Sequence, residues 1–162
     1  GFTWVRPEIV RSFDPPMVSW LATQFGADFE SMLDYDMTWR TDARKFELAT
    51  LGIQDYLGLA RSVEVLAEVG IATIRAHVHA LHAPIIEWAQ GHPGVRIVTP
   101  TDPSRRAGIL SFVPPESHRT AEALEEAGVV FSVRDGAVRF APHFYTTLAE
   151  IREVVDILER QR

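Results

Sequence analysis

Two successive blocks of helical periodicity constrain this chain more than any other feature. Ile53, Tyr56, Leu57, Ala60, Val63 and Leu66 recur at three- and four-residue steps, which places them on one face of a helix that Gly70 ends. Ile71, Ile74, Val78, Leu81 and Ile85 form a second stripe at once. Pro84 is expected to kink that helix, and Gly91 with Pro93-Gly94 to end it. Two long apolar stripes in a row predict one hydrophobic layer made of two helices.

Beyond that layer the pattern alternates between strand and helix. Val95 to Val98 and Gly108 to Val113 predict strands, Glu116 to Ala127 a helix ended by Gly128, and Val129 to Val133 another strand. Asp135-Gly136 is a hairpin turn signal joining that strand to Ala137 through Phe140. Thr147 with Glu150 has the spacing of a capping box, and Leu148, Ile151, Val155 and Leu158 supply the stripe of a last helix. The expected fold class is α+β, a small, mostly antiparallel sheet covered on one face by helices.

The first third of the chain is less regular. Gly1 to Arg6 resembles a strand already under way, with no initiator Met before it, so a piece of a longer protein is expected. Pro7 suits the first turn of a short helix through Ile9, Val10 and Phe13 that must stop before Pro15-Pro16. From Asp14 to Lys45 periodicity fades, yet Trp20, Phe25, Phe29, Met32, Tyr35, Met37 and Trp39 are too much apolar surface for a disordered linker. A stretch of that kind either covers a functional site or drapes over another part of the protein. We therefore expect residues 1–50 to be a strand and irregular segment, and residues 51–162 to be a C-terminal small domain.

Composition excludes several classes of function. No apolar run reaches the length of a membrane span, and the opening has no signal-peptide layout. The formal charge is -6, without the concentrated Lys/Arg clusters that phosphate backbones require, so nucleic acid is not an expected partner. The chain has no cysteine. That removes disulfides, thiolate nucleophiles and cysteine-based zinc sites, and suits a cytoplasmic location.

Four stretches resemble the class V aminotransferase family of fold type I enzymes, which includes cysteine desulfurases, kynureninase and isopenicillin-N epimerase-like enzymes. Gly1-Phe2-Thr3-Trp4-Val5-Arg6-Pro7-Glu8 is similar to the strand shortly after the family's cofactor lysine. Lys45-Phe46-Glu47-Leu48-Ala49-Thr50, followed by Gly58-Leu59, resembles the motif Arg-Phe-Glu-x-Gly-Thr and the helix after it. Arg106 through Phe112 matches a family strand, and Val138 through Thr147 the ending Arg-x-x-x-His-x-Tyr-Asn-Thr. The match covers nearly the whole chain, and the order and spacing of the four are more specific than any one alone. Two positions depart from the pattern: Lys45 stands for arginine and Ala49 for glycine, and alanine tolerates positive φ poorly.

The resemblance implies pyridoxal 5'-phosphate (PLP) as cofactor, an amino acid as substrate and a homodimer as the working form. It places the PLP lysine before Gly1, so no catalytic residue is expected in this chain. The only lysine, Lys45, is expected to be a surface cation or an ion-pair partner. Thr50 is similar to the threonine that meets the phosphate of the partner's PLP; alternatively it is an ordinary N-cap. Arg139 resembles the residue that grips the substrate's α-carboxylate, a task suited to its two-pronged guanidinium; alternatively it pairs with a structural carboxylate. Arg134 lies near the same mouth, where an exposed turn residue is the plainer expectation, and Arg106 is expected to bond locally. His77, His79 and His82 crowd one helix without the four-residue spacing that puts two imidazoles on one metal, so no metal site is expected. His143 and Tyr145 are expected to anchor a corner through ring hydrogen bonds, and Glu47 to hold the entry to the first long helix. A rival reading is a binding or oligomerisation module that keeps this fold without catalysis.

Overall fold

The computed structural model describes residues 2–24, 30, 33 and 36–161. Phe25, Phe29, Met32 and Tyr35 therefore lie outside the described residues. The chain divides into two compact units, Gly1–Val65 and Leu66–Arg162.

In the first unit, residues 2–6 form no strand. A strand needs a hydrogen-bonded neighbour, and none of the described residues supplies one; Phe2 and Trp4 stand exposed. Helix α1 (Pro7–Ser12) starts with its proline in the first turn and stops at Phe13, ahead of the two prolines. Thr23 and Trp39 form an antiparallel bridge. Gln24 donates to the Thr38 carbonyl at 2.8 Å and Arg40 to that of Ala22 at 3.0 Å. A 3-10 turn at Ala43–Phe46 follows, capped by the Asp42 side chain.

Lys45 holds this unit together. Its side chain is buried, and its Nζ donates to the carbonyl of Val10 at 2.7 Å and to Asp14 Oδ1 at 3.0 Å. The ring of Trp39 lies 5.9 Å away. A cation at the C-terminal end of α1 is favoured by the exposed carbonyls there, and a buried ammonium must be paired to be tolerated. The expected ion-pair partner is thus present, but Lys45 is not on the surface.

Helix α2 (Ile53–Val69) forms where periodicity requires it, yet none of its residues is buried. Ile53 and Leu57, on its apolar stripe, are 63% and 66% exposed. Its stripe is thus exposed among the described residues, where the two-helix expectation had it buried. Helix α3 (Ile71–Gly91) continues through Pro84 and buries Val78, Leu81, Ile85, Trp88 and Ala89.

The second unit is built on a four-stranded sheet of β1 (Arg96–Ile97), β2 (Leu110–Val113), β3 (Ser132–Arg134) and β4 (Ala137–Phe140). Its order is β1-β2-β4-β3, and every pairing is antiparallel. Val129 to Phe131 fall outside the ladder, so β3 is shorter than its apolar run. At the hairpin Asp135 and Gly136 have φ of 49° and 77°, the left-handed pair that a tight turn between right-twisted strands needs. Helix α4 (Ser117–Glu126) ends before Gly128, whose φ is 73°. Helix α5 (Leu148–Glu159) has the full capping box of Thr147 and Glu150.

One sheet face carries Leu110, Phe112, Val138 and Phe140 into a core with Leu81, Ile85, Trp88, Leu124, Ile151 and Leu158. The Phe112 ring meets Trp88 edge-on at 5.3 Å and Phe140 at 6.0 Å. This is the expected α+β arrangement, an antiparallel sheet with helices on one face.

Candidate functional site

Strand alternation decides where Arg139 points. Val138 and Phe140 are buried in the core, so the residue between them faces the opposite side of the sheet. There the register sets Arg139 between Ser111 on β2 and Ser132 on β3. Arg134, at the end of β3 and opposite Ala137, lies on the same face. Among the described residues no carboxylate pairs with Arg139. The result is a half-buried guanidinium flanked by two hydroxyl-bearing residues, with its fork available for an outside anion. The two serines carry no motif; the signal for them was the strand alternation read across the ladder.

Thr50 belongs to the first unit. It is exposed, and α2 begins two residues later, where the Gly52 carbonyl accepts the amide of Tyr56 at 3.1 Å. Thr50 is therefore not the residue that caps α2. Ala49 has no positive φ, Asp135 being the only described non-glycine residue that does, so alanine in place of the family's glycine costs nothing there. Glu47 acts through its backbone, whose carbonyl accepts Ser19 Oγ at 2.6 Å.

The corner after β4 differs from expectation. The ring of His143 stacks on Tyr145 at 4.7 Å, and the amide of His143, not its imidazole, donates to Thr146 Oγ1 at 3.0 Å. Tyr145 is 74% exposed, so it does not anchor the corner through its phenol. The anchor is His77, whose Nε2 meets the Thr146 carbonyl at 2.8 Å and ties α3 to the entry of α5.

The three helix histidines go to three different environments, and among the described residues no group of three or more metal-ligating side chains forms. His82 is fully buried, with its ring against the backbone of Gly108. Burial, reinforced by the charge of Arg106 and by His79, pushes its pKa from 6.5 down to about 4. The unfolded chain then takes up a proton below pH 6.5 that the folded chain refuses, so stability falls as pH drops through this window. The full effect is about 3 kcal/mol. We expect His82→Leu to remove most of this loss. Urea midpoints at neutral and mildly acidic pH should converge in the variant, whereas an unchanged acid loss would place the sensitivity elsewhere.

The second unit is thus a helix-backed antiparallel sheet with Arg139 on the face away from its core, unpaired among the described residues. The chain belongs to the kynureninase C-terminal domain family, which matches residues 74–158. It is 24% identical over 156 residues to an uncharacterised aminotransferase of Bacillus subtilis, covering 96% of this chain and 40% of that protein. Among solved structures, the apo cysteine desulfurase of Thermococcus onnurineus superposes with a TM-score of 0.79 at 22% identity, covering 98% of this chain and 42% of the other. A C-DES variant with glycine covalently linked to its PLP cofactor gives a TM-score of 0.73 at 21% identity, covering 96% and 40%. The chain thus spans about two fifths of the relatives it matches.

Proposed function

We propose that this chain is the C-terminal small domain of a longer, homodimeric, cytoplasmic PLP-dependent enzyme that acts on an amino acid. The observation that carries the proposal is the placement of Arg139. It is the one guanidinium of β4, turned away from the core, flanked by Ser111 and Ser132 and unmatched by any carboxylate among the described residues. Its fork suits a carboxylate, and the α-carboxylate is the group every amino-acid substrate has. Holding it fixes which bond at the α-carbon is oriented for cleavage.

PLP, when bound, withdraws electrons from the substrate's α-carbon. The residues of this chain suit a supporting part around it. Lys45 is engaged by Val10 and Asp14, which supports a cofactor lysine supplied from outside this chain. The exposed Thr50 hydroxyl, just ahead of the amides that open α2, suits a phosphate oxygen. With no cysteine, the chain brings no thiolate to attack a substrate sulfur, which favours transamination, epimerisation or carbon-carbon cleavage.

The test is made on the full-length protein. It should copurify with PLP, and amino acids should perturb the cofactor's absorbance. Thr50→Val keeps the volume and removes one hydrogen bond to a charged oxygen, about 1.5–3 kcal/mol, so PLP should bind roughly tenfold or more weakly. Unchanged PLP affinity in that variant would remove Thr50 from the phosphate site, and a protein indifferent to PLP would sink the whole reading.

A further inference from the structure

The second unit, Leu66–Arg162, also holds a cleft lined by basic side chains. A cleft of about 460 Å³ lies between the first two turns of α3 and the segment that precedes β2, within the range of small-molecule sites. Ile71, Ile74 and Val78 form an apolar wall, and Arg75, His79 and Arg106 add three nitrogen-bearing side chains; no Asp or Glu lines it. In a chain of charge -6, that concentration of basic groups runs against the overall balance.

The basic groups are only partly satisfied by the protein. Arg75 Nη2 donates to the Pro103 carbonyl at 3.2 Å and Arg106 Nη1 to the Thr101 carbonyl, which leaves the remaining N–H groups of both forks. Arg106 Nε and His79 Nε2 are buried without a partner. Behind them the ring of His82, 6.4 Å from that of His79, is fully buried. Asp102 feels the charge of Arg106, but its carboxylate is engaged by the Ser104 amide at 2.8 Å and stays outside the cleft. An unmet buried donor such as Arg106 Nε costs about 1–3 kcal/mol.

We propose that this cleft binds a small organic anion, a carboxylate or phosphate monoester with an apolar body, its oxygens taken by Arg75 and Arg106 and its body lying on Ile71, Ile74 and Val78. The site shares no residue with the Arg139 face and does not depend on the enzymatic reading. The buried His79 Nε2 adds a further hydrogen-bonding nitrogen to the site, and partial burial strengthens a charge-assisted bond there.

The test uses the full-length protein with 13C-labelled isoleucine δ1 methyls and three probes: benzoate, phenyl phosphate and the neutral isostere benzyl alcohol. Benzoate or phenyl phosphate should give saturable shifts at Ile71 and Ile74 while the core methyls of Ile85 and Ile151 stay in place. Benzyl alcohol should bind roughly tenfold or more weakly, because it lacks the charge-assisted bonds. The tighter of the two anions identifies the headgroup as carboxylate or phosphate. Arg106→Gln and Arg75→Gln should each weaken the anion by about tenfold, with unshifted core methyls reporting that the fold is intact. If Arg106→Gln disturbs the core methyls, Arg75→Gln alone decides. No saturable shift at either wall isoleucine, equal binding of benzyl alcohol, or unaltered anion affinity in a folded arginine variant would each overturn the site.

Discussion

Arg139→Lys in the full-length protein should lower kcat/KM for its best amino acid by about a hundredfold, with PLP content and thermal stability unchanged. The expected size follows from geometry, because misplacing a reacting group by about 1 Å can cost about 10²-fold. Lysine keeps the charge but replaces a planar two-pronged donor with a point charge on a flexible stem. A carboxylate held by one point can rotate, and the α-carbon bond loses its alignment. Stability should hold because Arg139 faces away from the core formed by Val138 and Phe140. The loss should fall on both kcat and kcat/KM, the pattern of an interaction needed at the transition state. Near-wild-type kcat/KM would reduce Arg139 to an ordinary strand residue. Catalytic release of sulfide from cysteine would remove the assignment to carbon-centred chemistry.

Mixing this chain with PLP and applying a brief borohydride pulse should leave Lys45 almost unlabelled. An amine must be free and reachable to attack the cofactor's aldehyde, and the Nζ of Lys45 is buried and held by Val10 and Asp14. Freeing it breaks a charge-assisted bond worth about 1.5–3 kcal/mol, so fewer than about a tenth of chains are open at any moment. Peptide mapping by mass spectrometry gives the fraction directly. Stoichiometric adduct at Lys45 together with saturable amino-acid turnover would show that the catalytic lysine lies in this chain after all.

The two outcomes separate two kinds of residue that look alike on paper. Lys45 and Arg139 are both cations inside recognisable motifs. One is spent on the architecture of its own unit, and the other finds no partner there. Nothing in the residues next to either one distinguishes these cases.

What the sequence determined was local. The steps of three and four residues specified α2, α3 and α5, because helix faces are set by neighbours one turn away. Asp135-Gly136 specified the hairpin, since few residues accept two successive positive φ angles, and Thr147 with Glu150 specified the start of α5 through bonds spanning one turn. The alternation of Val138, Arg139 and Phe140 even gave the side of the sheet on which Arg139 lies. The tertiary structure alone decided which of these faces are covered. The stripe of α2 stays exposed, whereas α3 buries Val78, Leu81 and Ile85 and leaves Ile71 exposed, because burial depends on what packs against a face. Only the fold brought Val10 and Asp14 to Lys45, placed Ser111 and Ser132 beside Arg139, and sank His82 next to Arg106. Each of those relations joins residues far apart in the chain or on different elements, and such pairings are selected by the packing of the whole unit.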